Sequence, residues 1–307
     1  EEIASRLGVS RTAVWKHIRE LREAGYEIVS QSRSGYSLRE APDRLLPSEI
    51  RHGLGTRRIG CEIQAFDVVD STNNEARRLA MAGAAEGTVV VAEQQNGGKG
   101  RLDRQFFSPS GKGIWFSVIL RPPFLPQEAP KCTLMAAVAV ARAMQEFGLR
   151  AGIKWPNDIV VNGRKICGIL TEMSTEIDYI NHVVIGAGIN VNQDTFSDDI
   201  KATASSLKLE LGKSVKRSEL IAAVMKSFEK CYEIFIETED LSGLQELYNS
   251  MLVNRDQEVK VLEPGNEYKA HAIGINQTGE LIVRTPDGKE KEIYAGEVSV
   301  RGVYGYV

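Results

Sequence analysis

The chain has 307 residues, more than one ordinary domain holds, and its length therefore predicts two or three domains. Hydrophobic residues make up 42% and charged residues 26%, a balance typical of globular proteins that argues against global disorder. The 38 basic and 41 acidic side chains give a net charge of −3, so any nucleic-acid binding must be local. The longest apolar run, residues 134–141, is too short to cross a bilayer.

The start of the chain and its cysteines indicate the compartment. The sequence begins without Met inside a predicted helix, and we expect it to be a trimmed form of a longer chain. No charged-then-apolar leader opens it, which favours the cytoplasm over secretion or membrane anchoring. The four cysteines lie far apart with no CxxC pair, which favours buried free thiols over a zinc site.

Residues 1–42 have the pattern of a winged helix-turn-helix. A short helix ends at Gly8, and Ser10 can cap a second helix that carries Val14 and Ile18 on one face. Apolar alternation on both sides of residues 32–35 predicts a β-hairpin wing. The alternative is a helical interaction module with a solvated basic face. The residues expected to reach DNA phosphates and base edges are Ser10, Arg11, Thr12, Trp15, Lys16, Arg19 and Arg33.

Strands and helices interleave over residues 43–253. Thr72 followed by Glu75 fits a capping box that opens a helix. Asn162-Gly163 between two apolar runs predicts a β-hairpin with a type I′ turn. Because hairpins occur among the strands, we predict a mixed sheet rather than a doubly wound parallel one. Over residues 254–307 an apolar period of two predicts five short strands in a small β-barrel.

Two clusters of polar and cationic residues could carry chemistry. Residues 98–101 (Gly-Lys-Gly-Arg) follow a predicted strand, and their glycines let backbone N–H groups approach an anion that the cations neutralise. In the second cluster Lys154 stands beside tryptophan and proline, where partial desolvation strengthens its pull on an oxygen atom. Asn157 and Asp158 could hold a metal or a metal-bound phosphate. The alternative for residues 98–101 is a plain surface loop. The alternative for the segment around Lys154 is a packed corner.

Together these residues resemble the family of bifunctional biotin protein ligases that also repress the biotin operon. The resemblance extends along the whole chain. Three loop positions depart from the family pattern: Lys99 stands where Arg is usual, Asp103 where Gly is common, and Phe106 where Trp is usual. Lys99 keeps the positive charge but lacks the paired N–H donors with which an arginine binds two oxygen atoms at once. Asp103 puts an anion beside the expected phosphate site. The segments that carry the resemblance are 70–73, 93–95, 98–101, 154–158, 163–165, 168–170 and 186–190.

The resemblance implies an α+β fold with a mixed-sheet catalytic domain of the class II synthetase and biotin/lipoate ligase type. A winged helix-turn-helix precedes that domain and a small β-barrel follows it. The implied reaction has two steps. Biotin and Mg-ATP give biotinyl-5′-adenylate and pyrophosphate, and a lysine of the biotin carrier domain of acetyl-CoA carboxylase then takes the biotin. The adenylate-loaded protein would bind biotin operator DNA as a homodimer.

The resemblance also assigns roles to residues. Lys154 and Arg101 are the implied catalytic residues, because their charges can hold a carboxylate and an α-phosphate together. The implied biotin-binding residues are Ser71, Thr72, Asn73, Gln95, Lys99, Gly100, Arg101, Lys154, Gly168 and Gly188. The implied ATP-binding residues are Arg101, Arg104, Asn157, Lys165 and Asn190, with Asp158 as a ligand of Mg²⁺.

Two other functions stay open on sequence grounds. A biotin-sensing transcription factor without catalytic activity would bind DNA with ligand alone and would need no ATP. The Lys154 cluster and the cationic loop argue against it, since a sensor has no need for a phosphate site. A lipoate-type ligase would share the lysine-centred chemistry. The DNA-binding module and the polar residues 71–73 favour biotin.

Overall fold

The computed structural model describes residues 2–31, 35–101, 104–263, 265–294, 299–302 and 306. The chain divides into two compact units, Glu1–Arg44 and Leu45–Val307. The second unit contains both the predicted catalytic segment and the predicted C-terminal β-barrel. The domain boundaries at residues 42 and 253 stay a prediction.

The first unit is a pair of helices followed by a two-stranded antiparallel sheet. The Ala13 N–H donates to Ser10 Oγ at 3.1 Å, which confirms Ser10 as the cap of the second helix. Arg33 in the predicted wing turn lies outside the described residues. The elements are α1 (Glu2–Leu7), α2 (Arg11–Glu23), β1 (Glu27–Gln31) and β2 (Gly35–Glu40).

The second unit combines helices with two sheets. Its described α-helices are α3 (Pro47–His52), α4 (Thr72–Met81), α5 (Lys131–Glu146), α6 (Leu207–Leu211), α7 (Arg217–Thr238) and α8 (Gln245–Met251). The strands of its larger sheet are β3 (Ile63–Val69), β4 (Val89–Gln95), β5 (Gly113–Leu120), β6 (Gly152–Lys154), β7 (Asp158–Val161), β8 (Arg164–Thr175) and β9 (Ile180–Asn190). The strands of the smaller sheet are β10 (Glu258–Glu263), β11 (Asn266–Ile275), β12 (Leu281–Arg284), β13 (Glu290–Ile293) and β14 (Ser299–Gly302).

The larger sheet is mixed, as predicted. Its strands follow the order β3-β4-β5-β9-β8-β7-β6, with β3 and β4 parallel and the other neighbouring pairs antiparallel. Asn162 (φ 50°) and Gly163 (φ 74°) connect β7 to β8 with the positive φ values that the Asn-Gly turn predicts.

The two faces of this sheet pack against different parts of the chain, and this difference positions the site. Side chains alternate along β5, so Ile114, Phe116 and Val118 point into the main core, which also contains the buried faces of α5 and α7. Ile119 lies on the opposite face, in a smaller core with the alanines of α4. Ser117 and Trp115 share that face, which α4 covers at one end and which carries Gly168, Gly186 and Gly188 on the neighbouring strands.

The smaller sheet is antiparallel, in the order β13-β12-β11-β10-β14, and supplies the five strands predicted for the C-terminal segment. Trp155, which is 2% exposed, connects it to the larger sheet. The Trp155 backbone N–H donates to Asn254 Oδ1 at 3.0 Å, and its indole N–H donates to the Gly279 carbonyl at 3.2 Å. The tryptophan beside Lys154 is thus a packed corner that fixes the lysine backbone.

Two expectations from the sequence are wrong. Helix α4 begins at Thr72 with Ser71 as its N-cap and no side-chain capping bond, so the predicted capping box does not form. Glu75 pairs instead with Arg78 at 2.6 Å. Cys61 is exposed, whereas the other three cysteines are buried. No helix within the described ranges is long and apolar enough to span a membrane.

Glu229 of α7 holds the segment that precedes β3. Its carboxylate accepts hydrogen bonds from the backbone N–H groups of Arg57 (2.8 Å), Arg58 (2.6 Å) and Ile59 (2.8 Å). Burial alone would raise the pKa of Glu229, but the three N–H donors outweigh it and hold the pKa below the ordinary value of 4.5.

We expect Glu229→Gln to lower the free energy of unfolding by about 2 kcal/mol at neutral pH, because an amide NH₂ then faces N–H donors. The folded pKa is the lower one, so the carboxylate stabilises the fold fully above the unfolded pKa. This contribution is lost as the pH falls through the folded pKa. Urea unfolding at neutral and acidic pH measures it, with exposed Glu219→Gln on the same helix as the control. Equal losses in both variants, or a loss that persists in acid, would contradict this account.

Candidate active site

The floor of the site is a strip of glycines on β8 and β9. Gly168 and Gly188 face each other across the two strands, and Gly186 lies on the same face of β9. A Cβ atom at Gly186 would come within 2.0 Å of Asn73 Oδ1, and one at Gly188 within 2.6 Å of the Phe106 ring. The missing side chains therefore let Asn73 and Phe106 lie against the sheet.

A hydrogen-bonded network at the N-terminus of α4 forms the polar end of the site. Gln95 Oε1 accepts hydrogen bonds from the Thr72 backbone N–H (2.8 Å) and the Thr72 hydroxyl (3.1 Å). Asn73 Nδ2 donates to Glu172 (2.7 Å), and Asn73 Oδ1 accepts from the Ser117 hydroxyl (2.6 Å). These partners fix the orientation of both amides, so their polar atoms are preorganised for a buried ligand.

The cationic loop lies across the mouth of the site. The Phe106 N–H donates to the Gly98 carbonyl (2.8 Å), and the Gly100 N–H donates to the Arg104 carbonyl (2.7 Å). These bonds pair the backbone of residues 98–100 with that of residues 104–106. Asp103, one of the departures from the family pattern, lies outside the described residues.

Phe106 covers the glycine floor. Its ring packs edge-on against Trp115, with 5.9 Å between the ring centroids, and lies 5.8 Å from Lys165 Nζ. A Cβ atom at Gly188 would come within 2.6 Å of this ring and one at Gly168 within 3.3 Å, so Phe106 occupies part of the space directly above the glycine floor.

Positive side chains meet beside this floor, around the start of β7. Lys154 is the last residue of β6 and is 6% exposed. Lys165 Nζ lies 2.6 Å from Asp158 Oδ1, and Arg101 Nη1 donates to Asn157 Oδ1 at 3.3 Å. Burial lowers the pKa of Arg101, although guanidinium groups stay charged in proteins. This region can neutralise more than one negative group at a time.

Two adjoining pockets bring the predicted residues together. The pocket over the glycine floor is lined by Ser71, Thr72, Asn73, Gln95, Lys99, Gly100, Arg101, Gly168 and Gly188, the whole predicted biotin set apart from Lys154. The second pocket has a volume of about 270 Å³. Its lining includes Lys154 and the predicted phosphate-side residues Arg101, Arg104, Asn157, Asp158, Lys165 and Asn190. Arg101 and Lys165 border both pockets.

The first unit presents a separate polar surface on α2. Trp15 is 54% exposed, and the Arg19 guanidinium lies 5.2 Å from the centroid of its ring. Lys16 Nζ lies 3.8 Å from Glu20, and Arg19 lies 3.6 Å from Glu23, so carboxylates partly neutralise the cations of this face. The exposed residues at the start of the helix are Ser10, Arg11 and Thr12.

Comparison with known proteins decides the family. Residues 65–190 match the biotin/lipoate A/B protein ligase family, residues 1–37 an HTH domain, and residues 256–301 the biotin protein ligase C-terminal domain. The bifunctional ligase/repressor BirA of Bacillus subtilis is 41% identical over 303 residues, which cover 98% of this chain and 93% of that protein. The chain belongs to the biotin protein ligase family.

Two further relatives of this ligase extend the comparison. A biotin–[acetyl-CoA-carboxylase] ligase of Paracoccus denitrificans is 29% identical over 244 residues, which cover 76% of this chain and 98% of that protein. The solved structure of a biotin protein ligase from Aquifex aeolicus in complex with biotin and ATP is 30% identical, with a TM-score of 0.69. That match covers 79% of this chain and 99% of the Aquifex chain.

Some residues of the hydrogen-bonded network and of the second pocket were not predicted from the sequence. Ser117 is the one hydroxyl in the apolar strand Gly113–Leu120, and this isolated polar residue was a signal that could have located it. Glu172 and Tyr306 carried no such signal. Tyr306 contacts Asp158 across 148 positions of sequence, which no local pattern predicts.

Proposed function

We propose that this biotin protein ligase forms biotinyl-5′-adenylate from biotin and ATP, transfers the biotin to a carrier-domain lysine, and represses the biotin operon when it is loaded. The observation that carries the catalytic part is the position of Arg101 between the two pockets, with the buried Lys154 ammonium on the wall of the second one. This arrangement suits two anionic reactants that must meet.

The polar end of the first pocket suits the ureido ring of biotin. Ser71, Thr72 and Asn73 are each at most 5% exposed, and Gln95 adds both an acceptor and a donor. A buried ring with its own N–H and C=O groups needs such partners, because an unpaired polar group costs binding free energy. The apolar body of biotin would occupy the floor of Gly168 and Gly188, with Lys99 and Gly100 above it.

In the first step a carboxylate oxygen of biotin attacks the α-phosphorus of ATP, the bond to the bridging oxygen breaks, and pyrophosphate leaves. Two unit charges 4 Å apart repel by about 4 kcal/mol at an effective dielectric constant of 20. Lys154 and Arg101 oppose that repulsion and stabilise the additional charge of the pentavalent transition state. No residue of this chain needs to take up a proton in this step.

The second pocket suits the nucleotide. Arg104 and Lys165 are the proposed partners of the β- and γ-phosphates, and Asn157 and Asn190 supply neutral polar groups. The Asp158 carboxylate lies on the pocket wall, and Mg²⁺ commonly binds through one such carboxylate together with substrate phosphates. The ion would supply positive charge at the leaving pyrophosphate, and Asp158 would hold it.

In the second step the ε-amino group of an acceptor lysine attacks the carbonyl carbon of the adenylate. The C–O bond to AMP breaks, an amide forms, and the amine releases a proton. The Paracoccus relative's name supports acetyl-CoA carboxylase as the acceptor, and the proposed target is a lysine of its biotin carrier domain. We propose that both steps take place in the cytoplasm.

The DNA-binding function follows from the first unit. The HTH match and the exposed cationic face of α2 support operator binding. The adenylate-loaded protein would pair as a homodimer, because a ligand that binds the pairing-competent state better must shift the equilibrium toward it. A homodimer then places two copies of α2 in successive major grooves of the operator.

We expect Lys154→Ala to abolish biotin-dependent exchange of pyrophosphate into ATP, with a loss of about 1,000-fold or more, since it removes a buried charge that acts on the transition state. The exchange is measured with labelled pyrophosphate, and circular dichroism shows whether the fold is retained. Lys260→Ala, on the surface of the C-terminal sheet, is the control and should keep full activity. Normal exchange by folded Lys154→Ala protein would remove this residue from the mechanism.

For the repressor function we expect Lys16→Ala to weaken binding to every DNA sequence and to reduce the slope of log affinity against log salt by about one. The probe is a duplex selected from random DNA with biotin and ATP present, and binding is followed by fluorescence anisotropy. Arg6→Ala on α1 is the matched control, because that exposed cation lies outside the proposed DNA face. If both variants bind with unchanged slopes, α2 does not contact the phosphates.

A further inference from the structure

Tyr306 lines the second pocket, which is the proposed nucleotide pocket. Its ring centroid lies 3.7 Å from Lys154 Nζ, and its hydroxyl donates a hydrogen bond to Asp158 Oδ2. Val300 of β14 lines the same pocket, so the C-terminal sheet forms part of its wall. Tyr306 is absent from the lining of the glycine-floored pocket.

Lys154 and Asp158, which Tyr306 contacts, are groups that the proposed reaction requires for ATP. Lys154 must reach the α-phosphate, and Asp158 must be available to the metal that accompanies the triphosphate. Lys165 already holds the second oxygen of Asp158 at 2.6 Å. With the tyrosine in place, the carboxylate is therefore shared between an ammonium group and a phenol, and the ring covers one side of the Lys154 ammonium.

These contacts are strong enough to compete with a ligand. Lys154 is 6% exposed and Asp158 has a side chain 13% exposed, so the ring and the hydroxyl interact with charges that are largely shielded from water. A cation–π contact in such a setting, or a hydrogen bond to a charged group, corresponds to about a tenfold change in an equilibrium constant. A displaced tyrosine regains part of this interaction free energy from water. The two contacts together therefore change the apparent affinity for ATP by about tenfold.

We propose that Tyr306 is a displaceable cap on the nucleotide site, which competes with ATP and does not compete with biotin. This inference rests on the proposed function, since it takes Lys154 and Asp158 as partners of the nucleotide. In the absence of ATP the cap stands in for the nucleotide at both groups. ATP binds when its phosphates replace the ring at Lys154 and its metal replaces the phenol at Asp158. The cap thereby sets the apparent affinity for ATP.

The test compares Tyr306→Ala, Tyr306→Phe and the control Tyr179→Ala, which changes an exposed tyrosine in the β8–β9 turn. Pyrophosphate exchange gives the KM values for ATP and for biotin in each protein. We expect Tyr306→Ala to lower the KM for ATP about tenfold and Tyr306→Phe to lower it about threefold. The KM for biotin should stay unchanged in both, and the control should match the wild type. A purely structural tether would not produce this separation of the two KM values.

A KM for ATP that rises in Tyr306→Ala would make Tyr306 a part of the nucleotide site and overturn the cap. An unchanged value would overturn it as well. Titration calorimetry with a non-hydrolysable ATP analogue and Mg²⁺ separates this inference from the proposed function. Wild-type protein without biotin-dependent exchange would refute the ligase, whereas the cap still requires Tyr306→Ala to bind the analogue about tenfold more tightly. Tyr306→Phe keeps the ring. If the alanine variant does not fold, the same measurements on Tyr306→Phe test the inference.

Discussion

Repulsion between two acids is the constraint on which this structure depends. A carboxylate and a triphosphate do not approach each other in water unless positive charge stands between them, and that charge is effective only away from bulk solvent. The fold meets this requirement with Lys154, whose backbone is fixed by the buried Trp155 between the two sheets. Arg101 adds a second charge from a loop. One cation thus stands at the end of a strand of the sheet, and the other stands on a loop.

The larger sheet explains why the ligand can lie so close to the backbone. One face carries large apolar side chains that belong to the main core with α5 and α7. The opposite face carries Gly168, Gly186 and Gly188 where α4 does not cover it. A strand gives such different faces only because its side chains alternate. The same alternation makes Ser117 point at Asn73 and the core residues of β5 point away.

The sequence predicted most of the elements and many of the residues that line the two pockets, because those features depend on local patterns. The cap at Ser10 and the turn at Asn162-Gly163 follow from local backbone chemistry. The two loop clusters were found from residue type and spacing. The capping box at Thr72 failed because the hydroxyl donates to Gln95 on a neighbouring strand, a tertiary contact that overrides a local preference. Tyr306 could not be predicted, since its position depends on how the C-terminal sheet packs against β6 and β7.

The most direct measurement of the central claim is a crystal structure of the protein with biotin, Mg²⁺ and a non-hydrolysable ATP analogue. The account predicts Lys154 Nζ within hydrogen-bond distance of both the biotin carboxylate and the α-phosphate, with the loop of Arg101 closed over them. Biotin and nucleotide bound in these pockets with Lys154 touching neither of them, and with Arg101 turned to solvent, would contradict it.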